Sequence, residues 1–167
     1  MKRRLGITRR WASIASAAAL ALVGSSAATA APRGDTDYLL AAGTFLGFCC
    51  DSSHVWVTAW RDPRRDKVRG GFLFYTNRQF DVFRAHEPEC LNVQGREAAV
   101  VTVATSYGFR LWFKFVFRDN RRSGPDEVVR FETSPYPFGE PLYCDFVPGQ
   151  PAQWTLDGDV NIHDAGS

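Results

Sequence analysis

Five side chains in this sequence could together hold a planar ligand: Trp56, Trp60 and Trp112, with Arg110 and Lys114 beside the last of them. Indole rings on a sheet face stack on the apolar faces of sugar rings, and neighbouring cations hydrogen-bond the groups at the ring edge. Such a platform exists only if nothing covers these residues. A second sheet or a long loop laid over them would turn the same rings into packing.

The titratable clusters offer less. His86-Glu87-Pro88-Glu89-Cys90 places an imidazole, two carboxylates and a thiol close together, and acid/base catalysis needs such groups to converge on one point. Proline forces a turn there, so the charges are expected at a polar rim, with Cys90 oxidised. Asp157-x-Asp159-x-Asn161 has the opening pattern of a calcium loop, but Ile162 occupies the sixth position, where that loop requires glycine. On a strand, the same three side chains simply share one wet face. Neither a Gly-x-Ser-x-Gly elbow nor a phosphate-binding glycine loop nor His-Glu-x-x-His occurs. No catalytic residue, metal ligand or cofactor is therefore assigned.

These residues must be positioned by strands. From Tyr107 to Arg118 the odd positions are Tyr, Phe, Leu, Phe, Phe and Phe, whereas the even positions mix Gly, Arg, Trp, Lys, Val and Arg. That is the two-residue period of a strand, and a helix would scatter the phenylalanines around its circumference. The same alternation marks Val55–Ala59 and Trp154–His163. Further candidates are Val68–Tyr75, Gln79–Ala85, Glu97–Thr105, Glu127–Thr133 and Leu39–Phe48. Asp62-Pro63, Thr76-Asn77, Gln94-Gly95 and Asp119–Pro125 punctuate them. The expectation is an all-β fold, a single antiparallel β-sandwich or β-barrel of about seven to nine strands. Residues 134–153 break the pattern and hold five of the nine prolines. A loop of that length needs an anchor, and Cys144 can supply it while its aromatics pack over the end of the sheet.

Residues 1–30 read as an export signal, with a cationic start through Arg10, an apolar stretch Ile14–Val23 and an Ala28-Thr29-Ala30 cleavage site. Thr8-Arg9-Arg10 hints at twin-arginine export, although Ala12 and Ser13 fit general secretion better. Residues 31–37 are expected to form a flexible mature N-terminus, and 38–167 the β domain. Subtracting the leader's five cations turns a formal charge of +2 into −3, which removes the basic signature of a nucleic-acid binder. No later segment is apolar enough for a membrane span, and a monomer is expected. An even set of cysteines in an exported chain, Cys49, Cys50, Cys90 and Cys144, predicts two disulfides. Adjacent cysteines rarely bond each other, so Cys49 and Cys50 are expected to reach Cys90 and Cys144 in either order.

Several short motifs together resemble a group of small exported β-domains from high-GC Gram-positive bacteria. They are Val68-x-Gly70-x-Phe72, Cys90-Leu91-x-Val93-x-Gly95, Phe117-x-Asp119-Asn120, Pro125-Asp126 leading to Phe131, and Gly158-x-Val160-x-Ile162-His163-Asp164-Ala165. The resemblance covers residues 43–165. It implies an exported all-β unit without an assigned reaction, sometimes a module beside other domains. Arg121-Arg122 depart from it where a glycine-rich turn is usual, and the Cys49-Cys50 pair is additional.

Residues and resemblance together point to a secreted, non-catalytic binding or structural module for an extracellular ligand such as a carbohydrate or cell-envelope component. The rivals are a small exported enzyme with an acid/base site near His86, Glu87 and Glu89, and a small-ligand carrier with an apolar barrel interior.

Overall fold

The computed structural model describes residues 36–47, 51–62, 67–76, 82–85, 87–121 and 123–166. The leader expected over 1–30, most of the 31–37 segment, Cys49, Cys50 and His86 lie outside them. The described residues form ten antiparallel strands and no helix: β1 Tyr38–Gly47, β2 Asp51–Asp62, β3 Lys67–Thr76, β4 Val82–Ala85, β5 Cys90–Gln94, β6 Glu97–Ser106, β7 Phe109–Arg118, β8 Glu127–Pro135, β9 Trp154–Thr155 and β10 Asp157–His163.

The strands follow one another round a nearly closed barrel. β4 and β5 both pair with β6, end to end, and β9 and β10 pair with β8 and β1 at opposite edges of the sheet. The ten strands therefore occupy eight staves. Since only Leu156 separates β9 from β10, one short stretch of chain joins the last stave to the first. Among the described residues, the β6–β7 turn at 107–108 and the start of the segment 136–153 lie at one end, here called the tip. Tyr107 and Gly108 turn the β6–β7 hairpin with φ of 44° and 86°, the left-handed pair that matches strand twist.

Alternation decides what fills the barrel. Leu39, Ala41 and Phe45 of β1, Val55, Val57 and Ala59 of β2, and Phe113, Phe115 and Phe117 of β7 all point inward and are buried. The phenyl rings meet across the interior, with Phe115 and Phe131 centroids 4.5 Å apart and Phe72 and Phe113 5.4 Å apart. Phe109, by contrast, lies past the end of the core and is exposed. A bulge opposite Val116/Phe117 gives β8 one extra residue. Val128 and Phe131 consequently face the interior, while Val129 packs outside.

Closure depends on a close approach. Gly43 and Gly158 are register partners in the β1–β10 pair. A Cβ on Gly158 would sit 2.1 Å from the Ala42 carbonyl oxygen, and one on Gly43 would sit 2.7 Å from Leu156 Cγ. Glycine at 158 lets the β1 backbone approach, and glycine at 43 admits Leu156, which is fully buried. At the β7–β8 turn, where a glycine would be usual, Arg121 itself takes φ of 51°, and its N–H donates to Asp119 Oδ1 at 2.7 Å.

Two expectations are corrected. Cys90 and Cys144 bond each other, not Cys49 and Cys50. The physical reason is the path of residues 136–153, which leave the tip and run back along the outer side of the barrel, across β6, β7 and β8. That path lays Cys144 over Cys90 at the start of β5, where Asn92 Nδ2 also donates to the Cys144 carbonyl at 3.0 Å. Of the strap's aromatics, Phe146 accordingly packs with Leu142 on the side of the barrel, against Ala99, Val101, Val116 and Val129, and not over its end, whereas Phe138 and Tyr143 are exposed. The expected all-β antiparallel fold is present: β5 is a separate short strand and the last strand breaks at Leu156, so ten strands fill eight staves.

Candidate functional site

The strap gives the barrel two unlike sides. On β7, Lys114 is buried beneath it, and Nζ donates to the Asp145 carbonyl at 2.6 Å with Glu132 Oε2 at 4.0 Å. Trp112 is half-buried, its ring 5.5 Å from that of Tyr136. Arg110 stays exposed but lies 4.0 Å over the same Tyr136 ring. Further down, Arg118 donates to Glu97 Oε1 at 2.8 Å and to Glu127 Oε2 at 2.6 Å. It also donates to the Gln150 carbonyl. Burial alone would lower the Arg118 pKa, but the hydrogen bonds and charges of Glu97 and Glu127 outweigh it and hold it above its ordinary value. Glu97 in turn accepts the Gly149 N–H at 3.0 Å, so the strap is pinned at both ends of this network.

Among the described residues, no strap crosses the far side. β2 and β7 are four staves apart in the ring, so Trp56 and Trp60 face away from Trp112, Arg110 and Lys114. The five residues proposed from the sequence thus divide into an uncovered pair and a covered or engaged trio. Around the uncovered pair, register assembles what sequence reasoning had not grouped. Tyr38, Trp60 and Arg69 form one outward row across β1, β2 and β3, and Ala42, Trp56 and Leu73 form the next but one. Thr44, His54 and Tyr75 make the last.

Trp56 is the centre of this face, 46 % exposed, with its ring edge across Gly71, where a Cβ would stand 3.2 Å from Cζ3. The His54 ring stacks on Tyr75 with centroids 4.3 Å apart and planes 10° apart, and His54 Nδ1 is hydrogen-bonded to Thr44 Oγ1 at 2.9 Å. Thr44, His54, Trp56, Leu73 and Tyr75 border a shallow groove of ≈ 350 Å³. At the β10 margin, Tyr38 stacks on His163 at 5.3 Å and donates its hydroxyl to Asn161 Oδ1 at 3.2 Å. Asp157, Asp159 and Asn161 are exposed along the same margin, beside Thr44, Ala42 and Leu40. The result is a gently curved aromatic floor with carboxylate and amide groups along one edge. The usable signal in the sequence was the outward parity of β1 and β3, which becomes informative only when the register with β2 is known.

The other candidates sit elsewhere. Glu87 and Glu89 are exposed and border a recess of ≈ 300 Å³ with Arg61 and Lys67. Glu87 is engaged with Arg69 at 3.4 Å, and Arg61 Nη2 donates to the Leu91 carbonyl at 3.0 Å. Among the described residues, no three His, Cys, Asp or Glu side chains gather in a way that could hold a metal ion. No family model, curated protein or solved structure matches the chain.

Proposed function

We propose that the protein is a secreted, non-catalytic binding module whose ligand is a carbohydrate of the cell envelope or extracellular matrix, held on the uncovered face of β10, β1, β2 and β3. The observation that carries this reading is Trp56, half-exposed in the middle of a sheet whose opposite side has its own apolar surface covered by a strap. A planar indole at the centre, a stacked His54–Tyr75 pair to one side, and acceptors on Asp157, Asp159 and Asn161 match a sugar ring's apolar face and peripheral hydroxyls. Phenyl rings already occupying the barrel interior favour an outer site over a carrier cavity. The Cys90–Cys144 disulfide is compatible with an oxidising, extracytoplasmic setting.

The test is retention of the mature chain on insoluble peptidoglycan, chitin and cellulose, followed by titration of the retained polysaccharide's oligomers with tryptophan fluorescence. Binding that weakens by about tenfold or more in Trp56→Ala supports the reading. Failure to bind any polysaccharide, or binding indifferent to Trp56→Ala and Trp60→Ala, overturns it.

A further inference from the structure

Register gives the uncovered face a direction. Two outward rows cross it side by side, one residue per strand. Asp159, Ala42, Trp56, Leu73 and Arg84 follow one another from β10 through β1, β2 and β3 to β4. Asp157, Thr44, His54, Tyr75 and Val82 do the same, one step nearer the tip. The groove lies between the rows, bordered by Thr44 and His54, Trp56, Leu73 and Tyr75.

The two ends of the groove therefore differ in charge. Asp157 and Asp159 stand at the β10 end, and Arg84 stands at the β4 end. All three are exposed, and among the described residues none of their side chains forms an ion pair or a hydrogen bond. On the strapped side, by contrast, Lys114 and Arg118 are spent on holding the protein together. Arg69, further down β3, is engaged with Glu87 at 3.4 Å. Trp56 stands midway, two inter-strand steps, or about 10 Å of sheet, from Asp159 and from Arg84. The opposite charges are thus too far apart to pair with each other, and Ala42, Trp56 and Leu73 between them are uncharged.

That pattern selects among polysaccharides. A neutral chain leaves both ends of the groove without a partner. A chain of one charge meets attraction at one end and repulsion at the other. Complementarity at both ends requires a cation and an anion on either side of a stacked ring.

Resting on the carbohydrate reading above, we infer that the glycan is dipolar. A free amino group on one sugar faces Asp157 and Asp159, a ring stacks on Trp56, and a carboxylate further along the chain reaches Arg84. The glycan accordingly lies across the strands and in one direction only.

Hexamers of a single backbone separate the charges. Hyaluronan carries carboxylates alone, its de-N-acetylated form carries both groups, and the de-N-acetylated, carboxyl-reduced form carries amines alone. In tryptophan-fluorescence titrations at low salt and about pH 6, the form with both groups should bind about fivefold more tightly than either other form. Asp157→Asn with Asp159→Asn should abolish its preference over the carboxylate form, and Arg84→Gln its preference over the amine form, each leaving the other preference in place. Equal affinities, tightest binding of a singly charged form, or preferences that survive these substitutions overturn the inference. If Trp56→Ala still weakens binding in those cases, the carbohydrate reading stands without it. Retention on a neutral polysaccharide through Trp56, with none of the three hexamers bound, likewise overturns the dipolar assignment alone. Failure to bind any polysaccharide overturns both.

Discussion

Asp126 joins the two ends of the sheet: its Oδ2 accepts the Val160 N–H at 2.7 Å, from the residue just before β8 to the middle of β10. Its other oxygen accepts the Asn120 N–H at 2.9 Å, and its own carbonyl accepts the Leu156 N–H at 2.8 Å. One buried residue therefore holds the β7–β8 turn, the break between β9 and β10, and the closing strand. Two short sequence motifs, Pro125-Asp126 and Gly158-x-Val160, meet at this contact. A third meets the last of them where Gly95 N–H donates to Asp164 Oδ2 at 2.7 Å. What those short motifs share in this chain is the closing of the barrel.

Asp126→Ala should destabilise the protein by about 3 kcal/mol, because it strips two charge-assisted hydrogen bonds and leaves two amides without partners. Asp126→Asn retains one acceptor and should lose about half as much. Urea midpoints at unchanged slope measure both.

Gly158→Ala should cost about 3 kcal/mol or more, since the new methyl would meet the Ala42 carbonyl oxygen at 2.1 Å and backbone cannot yield cheaply. Gly124 has nothing within 4 Å of its virtual Cβ, so Gly124→Ala should change stability by less than about 0.5 kcal/mol. Equal effects at the two positions would contradict the close approach at the seam.

Arg118→Met removes the cation that Glu97 and Glu127 share and should cost about 3 kcal/mol, Glu97 being left buried and charged. Arg118 has a raised pKa in the folded state, so its contribution is complete below the ordinary arginine value and is lost only as pH rises past the raised one. The difference between wild type and Arg118→Met contributed by this arginine's own titration should therefore be constant from about pH 6 to pH 9. Denaturation curves at several pH values measure it.

Cys90→Ser with Cys144→Ser opens a crosslink between residues 54 apart in sequence and should lower stability by about 2–4 kcal/mol. Freed at its middle, the strap should lift from Ala99, Val101, Val116 and Val129 while the barrel beneath survives. A rise in binding of an apolar dye, with the far-ultraviolet circular dichroism of the sheet retained, is the signature to look for.

Most strands were legible because they are alternating runs with a buried side. β7 is the plainest case, with Phe113, Phe115 and Phe117 inward and Trp112, Lys114 and Val116 outward. β5 was missed as a strand because it is five residues long and follows Pro88, so that its opening at Cys90 looked like part of a turn. The break at Leu156 was invisible for a different reason: Trp154 to His163 keeps its apolar spacing while changing partner from β8 to β1. The disulfide and the strap were beyond local reading, since they depend on where residues 136–153 travel. That same strap explains why Trp112 and Lys114 were right in parity yet are covered. Alternation puts Trp112 and Lys114 on the outside of the barrel, and only tertiary structure says that another segment stands over them.

The pairing of Tyr38 with His163 sets the order in which the molecule can be completed. The first stave waits for the last, so its free edge stays exposed until residues 157–163 have been synthesised. Joining segments so distant in sequence carries a large loop-closure cost before any contact repays it. Hairpins such as β6–β7 can form early and locally, but the seam between β1 and β10 is a late event. A chain halted shortly before it would present two unpaired strand edges, and its fate would be decided by how quickly those edges find each other or a neighbour.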